Sequence, residues 1–138
     1  MRVMFDTNIL LDVFQNRQPH YAASAACVSK VLHGKVEGDL PAHVLTTFYY
    51  VLKKYRDTDT ARDGGTWLLE RFGVAPCNHA VLEEACQCDM PDFEDAVVAV
   101  YAKHADCAYI VTRNLDDFAN SPLPALPPAE LLDQLKTP

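Results

Sequence analysis

The 138-residue chain has no apolar run approaching the roughly 20 residues that span a bilayer. Its start lacks the basic segment, apolar core and small-residue cleavage site of a secretory leader, so a cytoplasmic protein with no membrane association is expected. Cysteine is sparse and irregular. The five thiols (Cys27, Cys77, Cys86, Cys88, Cys107) are odd in number, and no pair shows the two-residue spacing of a zinc knuckle or redox motif. Cys86 and Cys88 would point in divergent directions on a helix, and the cysteines read as small core fillers. The five histidines form no spaced ligand set, so zinc is not expected. Basic residues are also few: 12 against 19 acidic ones, a net charge of -7, which argues against a general nucleic-acid coat. Much of that excess sits at Asp6, Asp92, Glu94, Asp95 and Asp117, where a bound cation would offset it.

What is present is ordinary globular material, 49% apolar and 22% charged, enough for one domain over 1–138. Short apolar strands alternate with longer helical stretches, the pattern of an α/β fold with a parallel sheet. Strands are expected at Arg2–Phe5, Val36–Leu40, Gly73–Pro76 (a brief strand or turn), Tyr109–Thr112 and Leu123–Leu126. Helices are expected at Asn8–Phe14, Tyr21–Leu32, Ala42–Tyr55, Thr58–Phe72, Ala80–Cys88, Asp92–His104 and Ala129–Leu135, with Gly64-Gly65 able to bend the fourth. Val3-Met4-Phe5 and Tyr109-Ile110-Val111 are continuous apolar runs, as strands buried on both faces require.

Ligands of such sheets collect beyond the carboxyl ends of the strands. Asp6 lies at one such end, and Thr112, Arg113, Asn114 and Asp117 lie at another. A carboxylate directly after an apolar strand is costly unless paired or bound to metal, which favours a metal role for Asp6 over a capping one, Asn8 being suited to the cap. Asn8 reads as that cap or as a holder of Asp6. Asp92 and Asp95 share a helix face and fit two descriptions: a capping arrangement, or a carboxylate pair reaching a cation. Ala96, Ala99 and Ala102 would let that helix approach the sheet closely, and Glu94 should be exposed. Asn114 and Asp117 fit a helix cap, or Asp117 holds a water or a basic side chain. Thr112 can orient Asp6 or bond a phosphate, and Arg113 can contact a phosphate oxygen. Tyr49 to Arg56 mixes aromatic and basic residues, either as a single-strand nucleic-acid groove does or as the polar edge of an amphipathic helix. Carboxylates at strand ends and helix starts suit a hard divalent cation, and so a metal-dependent phosphodiester hydrolase.

FDTNILLD at the start, DFEDAVVAVYA in the middle and YIVTRNLDDF after it, in that order, resemble the PIN-domain ribonucleases, which include many prokaryotic toxins of toxin–antitoxin pairs. The resemblance extends to the terminal PPAELL. It implies a three-layer α/β fold with a central parallel sheet of about five strands flanked by helices. It also implies a Mg²⁺ or Mn²⁺ site cutting single-stranded RNA, an antitoxin protein as partner, and a homodimer. Asp6 matches the family's first acidic ligand and Asp95 its helix ligand; beside them Asp92 reads as a metal ligand or as a group directly behind the ligands, and Asn8, Thr112, Asn114 and Asp117 as orienting those ligands or the water. Two positions depart from the pattern: Thr46-Thr47 stand where the third major helix usually carries an acid, and Asn114 where one often follows the Thr-Arg pair. The alternative is therefore a degenerate PIN domain that binds RNA or protein without cutting. An aspartyl phosphatase with Asp6 as nucleophile is a weaker rival, because the second acid and glycine of such enzymes are missing.

Overall fold

The computed structural model describes residues 1–136. In chain order the elements are β1 (Arg2–Phe5), α1 (Thr7–Phe14), α2 (Tyr21–Leu32), β2 (Glu37–Pro41), α3 (Ala42–Tyr55), α4 (Thr58–Arg71), β3 (Gly73–Ala75), α5 (His79–Gln87), α6 (Phe93–His104), β4 (Tyr109–Val111), a short 3₁₀ turn at Leu115–Phe118, β5 (Ala125–Leu126) and α7 (Pro128–Leu135). The five strands form one parallel sheet in the order β3-β2-β1-β4-β5. From β1 the chain steps outward to β2 and β3, then crosses back to β4 and β5. Right-handed crossovers place α1 to α4 on one face and α5 with α6 on the other. Parallel strands need both faces covered, and the central ones are: Val3, Met4, Phe5, Ile110 and Val111 are fully buried.

The helices follow the same logic. Val44, Phe48 and Leu52 recur along α3 and bury one stripe, while Tyr50 and Tyr55 face solvent. Gly64 and Gly65 do not interrupt α4. Gly64 is buried against α3, where an added Cβ would come within 3.2 Å of Leu52 and Phe48, so its lack of a side chain lets the two helices meet. Gly38 serves β2 in the same way, since a Cβ there would meet the Phe72 ring at 2.6 Å. In α6 every residue from Ala96 to Ala102 is buried, and Ala96, Ala99 and Ala102 allow the close approach to β1 and β4 that their size predicted.

Several boundaries move by a residue. Asp6, not Asn8, caps α1, which begins at Thr7. The fourth strand ends at Val111, leaving Thr112 just beyond it, and β5 is shorter than expected. Only Cys27 among the cysteines is fully buried; Cys77 and Cys86 are exposed, which corrects the expectation that they fill the core. No helix among the described residues is long and apolar enough to cross a membrane.

Candidate metal centre

The crossover direction reverses between β1 and β4, and a sheet opens a crevice at the carboxyl ends of the strands flanking such a reversal. Asp6 emerges from β1 on one side of it, and Thr112 from β4 on the other. Parallel pairing aligns Phe5 with Val111, and the Asp6 amide continues the ladder by donating to the Val111 carbonyl at 3.1 Å. The two side chains are thereby held in register. Thr112 Oγ1 donates to Asp6 Oδ2 at 2.8 Å, and the Thr7 amide donates to Asp6 Oδ1 at 2.8 Å. Asp6 is thus both helix cap and cleft residue, and its Oδ1 keeps acceptor capacity. Burial nevertheless pushes its carboxyl above the ordinary range, against the lowering effect of Thr112 and Thr7.

Asn8, in the first turn of α1, ties these groups together. Its Nδ2 donates to Asp6 Oδ2 at 3.3 Å and to Thr112 Oγ1 at 3.4 Å, and its Oδ1 accepts from the Arg113 amide at 3.3 Å. It holds Asp6 and does not cap the helix. Asn114 follows the same plan: its amide donates to Thr112 Oγ1 at 3.0 Å, and its Nδ2 donates to Asp117 Oδ2 at 2.7 Å. The 3₁₀ turn after Asn114 brings Asp117 back toward the crevice.

The opposite wall is the start of α6. Asp92 caps it by accepting from the Asp95 amide at 3.0 Å, so the capping description of this pair holds. Asp95, in the first turn, is half-buried. Its carboxyl is pushed up to about 7 by burial first, and then by the negative charges of Asp6, Asp92, Asp117 and Glu94. That list of charges is the signature of convergence: acids from β1, α6 and the post-β4 turn share one region. Glu94 itself is exposed.

Arg113 does not face this crevice as a phosphate contact. Its guanidinium makes a two-pronged ion pair with the fully buried Asp12, Nε to Oδ2 at 2.8 Å and Nη2 to Oδ1 at 2.9 Å. His43, by contrast, feels the charges of Glu94 and Asp6 and escaped the sequence reading. It stands in the first turn of α3 beyond β2, its ring 6.3 Å from that of Tyr101. Burial lowers its pKa, while Glu94 and Asp6 pull it the other way. The strand-end rule that selects Asp6 also selects His43, which lies two residues past β2. Thr47 is half-buried and Thr46 exposed, so α3 supplies no acid at the expected place.

Among the described residues, no three His, Cys, Asp or Glu side chains are grouped as a ready-made metal cage. The donor set nevertheless fits a hard divalent ion. It is all carboxylate oxygen, and Mg²⁺ is commonly held by one or two carboxylates, with waters and substrate phosphate filling the other positions.

Comparison with known proteins agrees with this architecture. A model of the PIN domain matches residues 2–116. The chain is 25% identical over 118 residues to Ribonuclease VapC1 of Aquifex aeolicus, covering 82% of this chain and 81% of that one. Among solved structures it resembles VapBC-1 from nontypeable Haemophilus influenzae (TM-score 0.71, 17% identity, 94% of this chain and 99% of that one). It also resembles a toxin-antitoxin complex from Klebsiella pneumoniae (TM-score 0.69, 20% identity, 91% and 97%).

Proposed function

This chain belongs to the PIN-domain family, and from that footing we propose that it is a metal-dependent endoribonuclease acting on single-stranded RNA, the toxin of a toxin–antitoxin pair. We take residues 1–138 as one such domain. The observation that carries the reading is that Asp6 beyond β1 and Asp95 in the first turn of α6 stand at one switch point, where burial first, and then the charges of Asp6, Asp92, Asp117 and Glu94, raise the Asp95 carboxyl to about 7. Like charges gathered without a cation of their own are costly, and a divalent ion offsets that cost.

Asp6 and Asp95 would hold Mg²⁺ or Mn²⁺, with Asp92 beside them. Bound there, the ion supplies a more acidic water and charge stabilisation for a phosphate undergoing in-line attack. The protein's part is positional. Thr112 and Asn8 fix the rotamer of Asp6. Asn114 fixes Asp117, which is placed to orient a water or accept its proton. His43, facing the same acids and favoured neutral by burial, is available to exchange a proton. An antitoxin protein is the partner that the toxin–antitoxin relatives support, and a homodimer follows from the family resemblance.

The test is cleavage of a mixed single-stranded RNA pool with Mg²⁺, with Mn²⁺ and with chelator. Cutting should require metal, and Asp6→Asn and Asp95→Asn should each lower it by at least about a hundredfold, the scale of lost electrostatic stabilisation. Full activity in either variant would overturn the assignment. A second reading, a domain that binds RNA or protein without cutting, is favoured by Thr47 and Asn114 standing where acids are usual. RNA retention by a folded protein that never cuts would establish it.

A further inference from the structure

The ion pair between Arg113 and Asp12 lies outside the acidic crevice, yet it is built into the segment that makes one of the crevice walls. Asn8 and Asp12 are one turn apart on α1, so they share a face. Both are used on the same residue: Asn8 Oδ1 accepts from the Arg113 backbone amide, and Asp12 accepts the Arg113 guanidinium through both oxygens. The helix therefore grips Arg113 at its main chain and at the tip of its side chain.

The two grips differ in strength. The bonds made by Asn8 are long, from 3.3 to 3.4 Å, and those to Thr112 and the Arg113 amide are between neutral groups. The bonds made by Asp12 are charge-assisted, two-pronged and 2.8 to 2.9 Å, the stronger and more directional kind. Asp12 is itself anchored: it has no exposed surface, and Ser24 Oγ of α2 donates to its Oδ2 at 2.8 Å. Arg113 lies directly between Thr112, which bonds Asp6, and Asn114, which bonds both Thr112 and Asp117. A shift at residue 113 moves both neighbours.

We infer that Asp12 and Arg113 are positioning residues of the candidate metal centre: their part-buried ion pair fixes the chain after β4, so that Thr112 orients Asp6 and Asn114 presents Asp117. The inference rests on the nuclease reading above and deepens it. Arg113 acts through its neighbours and does not touch the substrate phosphate.

The experiment compares wild type with Arg113→Lys and with the double variant Asp12→Asn/Arg113→Gln. The first keeps the charge but loses the two-pronged geometry. The second removes both charges together, so that no buried ion is left alone. Folding is checked by circular dichroism and Tm, Mn²⁺ binding by electron paramagnetic resonance with the metal alone, and kcat and KM on a single-stranded oligoribonucleotide. In both folded variants kcat should fall by about ten- to a hundredfold, as small misplacements of reacting groups do. KM should stay near wild type, and more of the sharp signal of free Mn²⁺ should remain, which reports weaker affinity. Wild-type kcat and an unchanged Mn²⁺ signal, with only a lowered Tm, would overturn the inference and leave a purely structural pair. A raised KM with unchanged kcat would overturn it in favour of a phosphate contact. Wild-type protein that neither cuts RNA nor binds Mn²⁺ would instead remove the nuclease reading, and this inference with it.

Discussion

Asp6 and Asp12 are buried carboxylates on the same strand-to-helix segment, and the protein treats them in opposite ways. Each accepts a 2.8 Å hydrogen bond from a hydroxyl, Thr112 for Asp6 and Ser24 for Asp12. Asp12 then receives a guanidinium, which completes its charge balance inside the fold. Asp6 receives more acids instead, with Asp95, Asp92 and Asp117 gathering in the same region. The guanidinium of Arg113, the residue after Thr112, is committed to Asp12. A buried charge matched from within is structure, and its value is measured by what its loss does to folding. A buried charge surrounded by like charges is a cost that folding alone does not explain, and it points to a cation from outside.

The largest effect that would break this comparison is on metal-free stability. Asp12→Ala leaves the part-buried Arg113 guanidinium and the Ser24 hydroxyl without their partner and should cost up to about 3 kcal/mol in urea unfolding. Asp95→Asn removes one of several mutually repelling acids in a half-open site. It should leave stability unchanged or raise it by less than about 1 kcal/mol, because solvent screens the repulsion. Equal destabilisation by both substitutions would show that the two carboxylates are the same kind of feature.

Next in size is the pH dependence. The Asp95 carboxyl is raised from 3.8 to about 7 in the folded protein, so the folded state keeps a proton that the unfolded chain releases. Its contribution is therefore fully favourable below the unfolded value and is lost as pH rises through the window up to about 7. Asp6, raised by burial, acts in the same direction. His43, lowered by burial, has the opposite sign: the stability it contributes is lost as pH falls through its unfolded value of 6.5. Subtracting the Tm profile of Asp95→Asn from that of wild type cancels His43 and isolates Asp95. The difference should decline with rising pH in chelator. Saturating Mn²⁺ should reverse it, since a cation binds the deprotonated carboxylates. A flat difference in both conditions would mean that Asp95 is not in an acidic cluster at all.

Much of this was legible in the residues. Continuous apolar runs marked the strands, and the end-of-strand rule found Asp6 and Thr112 before their pairing was known. Alanines spaced along α6 told which face meets the sheet. The sequence could not show that β1 and β4 are neighbours, and two assignments depended on that. Asn8 read equally as a cap or as a holder of Asp6, since its other partners, Thr112 and Arg113, lie a hundred residues away. Arg113 read as a phosphate contact because its partner, Asp12, lies 101 residues away on α1. His43 was missed because histidines were judged as a set with spacing, whereas its place depends on where β2 ends. The 3₁₀ turn at Leu115–Phe118 is a single short turn with no period to detect, and it was read only as a possible cap.

The smallest effect bears on Asn114, where the chain lacks an acid common in the family it resembles. Its Nδ2 donates to Asp117 Oδ2 at 2.7 Å, so at present it quiets one of the acids on that wall. Asn114→Asp replaces that donation with repulsion and adds a carboxylate to the crevice. Without metal the variant should lose up to about 1 kcal/mol, the scale of a partly exposed charge interaction. With Mn²⁺ it should bind about fivefold more tightly, roughly 1 kcal/mol, because the added charge is then matched. The two changes are tied to one cause and must carry opposite signs. Lower stability with unchanged Mn²⁺ affinity would place Asn114 and Asp117 outside the reach of the ion, leaving Asp6 and Asp95 as its carboxylate holders.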